Sequence, residues 1–256
     1  SMRLQCDASG ARLHLTQQRF LPLGAAGANT QRWQVPVCVN YTASGADRRA
    51  CTLLKADSDV LPLGAACPAS LATHTARYYR TRYENKLLQR IATPRNAAET
   101  VALIGDVGAL AHNGTVSLAQ ALRTVQPFSR SPNRHVAQSL IALIGDIRAV
   151  VPEALRADEA RWIRAMFGRK AHRLGLSPAP DESEETRQLR PALVKFVIDA
   201  GDDRKLGAKA IVLAKRWLQD RSAVDASMVQ TVLEGAARHG NRELFALFRA
   251  ELQKTR

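Results

Sequence analysis

Apolar residues recur with a period of two up to about residue 80 and with a helical period from about Glu84 onward. One regular layer cannot hold both patterns, so the chain is expected to fold in two parts. In the stretch from Trp33 to Tyr41, positions 33, 35, 37, 39 and 41 are Trp, Val, Val, Val and Tyr, which predicts a strand with one buried face. Pro36 has no N–H for a ladder and points to an edge strand or a bulge. Shorter strands are predicted at Leu4–Cys6, Leu13–Phe20, Ala50–Lys55, Val60–Leu63 and Ala76–Tyr83. Turn signals separate them at Ser9-Gly10, residues 24–27, Ser44-Gly45 and Gly64. Six or seven short strands at this spacing predict a small β-sandwich.

Beyond residue 84, Val101, Ile104, Val107 and Leu110 share one helical face, as do Leu140, Ile144 and Ile147. Val101–Leu110 (VALIGDVGAL) and Ile141–Val150 (IALIGDIRAV) are identical at six of ten positions and lie 40 residues apart. That offset suits HEAT or armadillo repeats; chance likeness of two Ala/Leu-rich helices is the alternative. Helix ends are predicted at His112-Asn113-Gly114, Ala200-Gly201-Asp202 and His239-Gly240-Asn241, where Gly or Asn fits a left-handed terminal residue. Pro152 suits a first helical turn. Ser177–Glu185 reads as an acidic surface loop within a stack of antiparallel helix pairs.

Composition narrows the function classes. The 256 residues carry 37 Lys and Arg against 23 Asp and Glu, for a net charge of +14, the kind of excess that prompts a test for nucleic-acid binding. Residues 1–80 hold nine bases and four acids, and the remainder 28 and 19. The surplus is therefore spread along the chain and forms no polybasic tail, which argues against nucleic acid. No apolar run approaches the ~18 residues of a membrane span, so no membrane partner is expected. No secretion signal is legible. Ser1-Met2 reads as a tag remnant before a cloned segment, so the chain is expected to be part of a longer one.

Four cysteines, Cys6, Cys38, Cys51 and Cys67, lie in the first 67 residues, without C-x-x-C or zinc-finger spacing. If strands joined by the turn at residues 44–47 carry Cys38 and Cys51, the two face each other within bonding reach and form a possible disulfide. Four independent buried thiols are the alternative.

A search for catalytic patterns finds none. The six histidines, His14, His74, His112, His135, His172 and His239, include no pair four apart, so no H-E-x-x-H helix exists. There is no G-x-S-x-G elbow and no phosphate-cradling G-x-x-x-x-G-K-[ST] loop. Asp181, Glu182, Glu184 and Glu185 lack the alternating ligands of a calcium loop and read as solvated. His112 and His239, beside helix ends, suit the helix dipole better than catalysis. The most basic helix candidate spans Glu153 to Leu174, with an apolar stripe of Leu155, Trp162, Ile163, Met166 and Phe167. Its bases fan over the surface, without the interleaved aromatics of a single-strand platform. No catalytic and no metal-ligating residue is expected in this chain.

Five strings, in order, resemble the C-terminal region of the aminopeptidase N family of zinc peptidases, of the endoplasmic-reticulum aminopeptidase type. Leu13–Phe20 (LHLTQQRF) followed by Trp33–Val37 (WQVPV) resembles the entry to that family's β-sandwich. Tyr78-Tyr79-Arg80 with Tyr83 is similar to its G-Y-Y-R-V-x-Y strand, although Arg77 and Thr81 depart from the usual Gly and Val. Ala97–Leu122 resembles the first helix pair with its D-x-(G/A)-A-L-A core. Glu184–Asp202 and Ala236–Phe248 are similar to later repeats.

The resemblance implies α+β architecture as separate domains: a β-sandwich at residues 1–83 and a helical HEAT/armadillo-like superhelix at residues 84–256. It further implies a non-catalytic C-terminal part of a zinc aminopeptidase, which caps the active-site chamber and shapes peptide access. Zinc would belong to the upstream catalytic domain, which with the peptide substrate is the expected partner. No residue is singled out for peptide contact, though an Arg would suit a peptide carboxylate. Alternatives are a stand-alone helical scaffold that binds a protein and a basic nucleic-acid-binding module. The compartment stays open between a bacterial cytoplasm and an extracytoplasmic space, the latter favoured if disulfides form.

Overall fold

The computed structural model describes residues 1–28, 30–73, 75, 77–84, 87, 94 and 96–254. The chain divides into two compact units, Ser1–Pro127 and Phe128–Arg256. β-structure occupies the start of the first unit, and helices follow to the end of the chain, so the α+β reading holds.

The first unit opens with β1 (Met2–Asp7), β2 (Gly10–Thr16), β3 (Val35–Ala43), β4 (Ala46–Leu54), β5 (Ser58–Gly64) and β6 (Ser70–Thr73). They form two three-stranded sheets, ordered β1-β2-β5 and β4-β3-β6, all pairs antiparallel. Leu13, Leu15, Leu61 and Leu63 are buried on the first sheet, and Val37, Val39, Tyr41, Leu54 and Leu71 on the second. Tyr41 Oη donates to the Leu63 carbonyl at 2.8 Å and links the two layers.

Hairpin register follows from the turn. Ser44 and Gly45 both have positive φ, 51° and 74°, which gives the primed two-residue turn that matches strand twist. Ala43↔Ala46 closes it, and alternate pairs outward from there are not hydrogen-bonded. Pro36 falls on such a pair, so its missing N–H faces the far side. There β6 pairs only with Val39–Thr42, and no ladder bond is lost.

Three strand predictions need correction. Trp33 is not part of β3 and is 44% exposed. Its backbone is instead held by the Gln17 side chain: Trp33 N–H donates to Oε1 at 2.9 Å and its carbonyl accepts from Nε2 at 2.9 Å. Leu13–Phe20 accordingly ends as a strand at Thr16. The predicted strand Ala76–Tyr83 reduces to a single bridge between Tyr83 and Met2. Arg77 bends the chain there, because its Nη1 takes both the Tyr79 carbonyl at 2.7 Å and Thr81 Oγ1 at 3.0 Å. Ala76 and His74 lie outside the described residues.

Helix α1 (Ala97–His112) starts where Asn96 accepts from the Glu99 N–H at 2.9 Å. It ends before Gly114, whose φ of 75° reverses the chain. Ser117 caps α2 (Leu118–Val125). Both belong to the first unit.

The second unit contains α3 (Arg134–Arg148), α4 (Arg156–Ile163), a π-helical segment Arg164–Gly168, α5 (Arg169–Leu174), α6 (Glu184–Asp199), α7 (Arg204–Gln219), α8 (Val229–His239) and α9 (Arg242–Lys254). Side chains of Asn133, Ser183 and Asp203 cap α3, α6 and α7. Helix α6 packs on α3 and α8, and α7 packs on α8. Leu140, Ile144, Ile163, Phe167, Leu193, Ile198, Leu206 and Met228 are fully enclosed. Phe167 meets Phe196 edge-on, with centroids 5.8 Å apart.

The basic segment is therefore not one uniform helix. Ile163 and Phe167 are buried, but Leu155 is 51% exposed, because it sits in a 3-10 turn ahead of α4. The helix-end prediction also shifts: the left-handed residue after α6 is Asp202, at φ 47°, and Gly240 is extended, at φ −77° and ψ 178°.

Candidate functional site

Among the described residues of the first unit, Asp106 is the most enclosed charge. It lies on α1, and its residue is 0% exposed. Four donors converge on it. Arg77 reaches Oδ1 at 3.1 Å and Oδ2 at 2.6 Å, the Thr81 N–H reaches Oδ1 at 3.1 Å, and Tyr83 Oη reaches Oδ2 at 2.7 Å. This set satisfies both carboxylate oxygens, as a buried ion requires. Tyr79 lies under the Arg77 guanidinium, 5.2 Å from its ring centre. Burial raises the pKa of Tyr83, and Asp106 adds to the shift, so the phenol stays a donor. For Arg77, burial opposes the charge but Asp106 outweighs it and raises the pKa. The arrangement can hold the Arg77–Tyr83 segment rigidly to α1. It offers no open reacting position, and its chemistry is that of a weld.

The repeated string gives a control. Leu103, Ile104 and Val107 are buried on α1, and their counterparts Leu143, Ile144 and Ile147 are buried on α3. Asp146, the counterpart of Asp106, is exposed.

In the second unit, polar side chains gather on the joint after α6, residues 200–203. Arg148 from α3 reaches the Ala200 carbonyl at 3.4 Å and Glu159 at 2.5 Å. Arg164, from the π segment, donates to the Gly201 carbonyl. His172 from α5 lies 2.8 Å from Asp203 Oδ2, whose Oδ1 accepts the Leu206 N–H at 3.0 Å. His239 from α8 bonds the Ile198 carbonyl at 3.2 Å. Its ring fills the space beside Gly207, where an added Cβ would lie 2.5 Å from Cγ. Burial pushes the Asp203 carboxyl up, but the Leu206 N–H and His172 outweigh it and hold the pKa below the usual carboxylate range. Cations and donors at a carbonyl-rich helix end are electrostatically favourable. The joint is a cap built from four helices.

The remaining sequence candidates separate. The acidic stretch is not a solvated cluster throughout. Glu182 turns inward to an ion pair with Arg190, the two side chains 7% and 3% exposed. Glu185 lies 3.4 Å from Arg134 Nε, and Glu184 opens α6. His14 bonds Gln5 at 2.8 Å, and His135 lies beside Arg134 at 3.3 Å. Among the described residues, no three His, Cys, Asp or Glu side chains converge to hold a metal ion. No helix among them is long and apolar enough to cross a membrane.

Two disulfides close the first unit. Cys38–Cys51 joins β3 to β4 at a non-hydrogen-bonded pair, with Cα atoms 4.1 Å apart. Cys6–Cys67 ties β1 to the connection before β6, with Cα atoms 5.6 Å apart. The partner of Cys6 and the inward turn of Glu182 have no local sequence signal. Arg77 had a weak one, since it stands where the resembling strand carries Gly.

A family model described as ERAP1-like C-terminal domain matches residues 73–256. Aminopeptidase 2 of Candida albicans is 22% identical over 253 residues, covering 93% of this chain and 27% of its own length. The puromycin-sensitive aminopeptidase of Caenorhabditis elegans is 23% identical over 252 residues, covering 93% of this chain and 26% of its own. The chain thus spans about a quarter of the length of these relatives. With the match running from the end of β6 through every helix described above, the chain belongs to the ERAP1-like C-terminal domain family, the C-terminal region of aminopeptidases of the aminopeptidase N type.

Proposed function

We propose that this chain is the non-catalytic C-terminal part of a zinc-dependent aminopeptidase, where it caps the active-site chamber and shapes the access of peptides. The observation that carries the reading is the family match over residues 73–256 in a chain that spans about a quarter of its aminopeptidase relatives. One feature of the molecule supports it. Its enclosed Asp106 and the Asp203 that caps α7 are spent on internal bonds, as suits a rigid wall. The chain covers only about a quarter of its aminopeptidase relatives, so in this reading zinc and the hydrolytic groups would come from an upstream domain of the parent chain. The peptide substrate and that domain are its partners in this reading.

Two disulfides in the first unit favour an oxidising, extracytoplasmic compartment. The test of function is direct. The purified chain, supplied with zinc, is expected to release no reporter from an aminoacyl substrate. Zinc-dependent turnover by this chain alone would contradict the assignment.

A further inference from the structure

The segment of residues 175–183 connects α5 to α6, and its first three residues, Gly175, Leu176 and Ser177, wall one side of an open apolar groove of about 530 Å³. The other side is the Ala208, Val212 and Leu213 face of α7, with Lys209 beside it. Gly175 begins the segment at φ 62° and ψ −167°, a conformation almost closed to residues with a Cβ. Ser183 ends it by capping α6. Residues 177 and 179–181 are exposed.

Both ends of the segment meet at one guanidinium. Arg190, only 2% exposed, reaches the Gly175 carbonyl with Nη1 at 3.4 Å and pairs with Glu182 through Nη2. Arg190 Nε and Glu182 Oε1 have no partner, so this pair is incompletely satisfied. A buried ion pair of this kind adds little net stability over an apolar pair, whereas removing one member strands a charge. Stranded Glu182 regains water when the segment lifts.

We propose that residues 175–183 form a strap that opens as one unit about Gly175, with the Arg190–Glu182 ion pair as its clasp, and that opening removes one wall of the apolar groove on α7. Leu176, 5% exposed, is the apolar side chain of that wall and lifts with the segment.

Hydrogen exchange followed by mass spectrometry on the purified chain tests this. Arg190→Met is expected to speed exchange of the strap amides by about tenfold or more, with α5, α6 and α7 within about twofold of the parent. Adding Glu182→Leu, which makes the pair apolar, is expected to restore strap protection. Fluorescence of an apolar, environment-sensitive dye should rise in Arg190→Met and fall back in the double variant. Exchange that rises equally through α5, α6 and α7, or a strap that does not change, would overturn the clasp. Unchanged dye fluorescence would overturn the link to the groove. If Arg190→Met does not fold, Glu182→Gln serves instead: strap-only acceleration supports the proposal, and acceleration spread through α6 contradicts it.

Discussion

The two units solve the same problem, holding secondary structure in a fixed arrangement, with different chemistry. The first unit is closed covalently by two disulfides and electrostatically by one fully enclosed carboxylate with four donors. The second unit has no cysteine and relies on helix packing, caps, the buried Arg190–Glu182 pair and part-exposed pairs such as Lys195 with Asp199 and Glu234. Small three-stranded sheets bury less apolar surface than stacked helices, so they need the added cross-links. The contrast is sharpest in the repeated string: its apolar positions serve one purpose in both units, while its aspartate is a weld on α1 and a surface residue on α3.

The largest expected effect probes the weld. Arg77→Met leaves Asp106 enclosed without its cation and should cost about 3–5 kcal/mol, read as a lower urea midpoint for the first unit. If the cost is below about 1 kcal/mol, Asp106 is no weld. The disulfides come next. Loop lengths of 61 and 13 residues give about 4 kcal/mol for Cys6–Cys67 and about 3 kcal/mol for Cys38–Cys51 in the chain-entropy account. Replacing each pair by Ser under oxidising conditions should preserve that order, with no effect on the helices of the second unit.

Gly207→Ala comes third. The new Cβ meets the His239 ring, and the expected loss is about 1–3 kcal/mol, confined in hydrogen exchange to α7 and α8. Asp203 gives a pH signature of about 1 kcal/mol, the size of an N-cap. Its pKa is depressed in the folded state, so its contribution is full above the unfolded value and is lost as pH falls through the folded one. Asp203→Asn keeps a capping oxygen and should flatten that acid limb of the stability curve. Asp146→Asn is the smallest, within about 0.5 kcal/mol. A loss as large as that of Asp106→Asn would erase the contrast between the two copies of the string.

The division into β and α parts was legible because periodicity is local: Val37, Val39 and Tyr41 alternate, and Leu140, Ile144 and Ile147 recur helically, each within a few residues. Trp33 broke the rule because its backbone is satisfied by a side chain 16 residues away, and no pattern in the stretch around it records that. Asp106 and Asp146 both follow Ala-Leu-Ile-Gly and precede a β-branched apolar residue, and these shared features do not separate a buried carboxylate from an exposed one; what encloses Asp106 is Arg77, 29 residues upstream. Glu182 was hidden for a similar reason: it sits among acids that do face water, and Arg190 draws it in from the next helix. The facing of Cys38 and Cys51 is set by a turn five pairs away, whereas no turn relates Cys6 to Cys67.

The central claim is that this chain shapes access to a reaction carried out elsewhere in its parent protein. The direct measurement is the rate of N-terminal residue release from a ladder of peptides of increasing length, by the parent enzyme with and without the region equivalent to residues 73–256. The account predicts that the truncated enzyme, checked for fold and bound zinc, still cleaves a short reporter but loses the parent's dependence on peptide length. An unchanged length profile would contradict it.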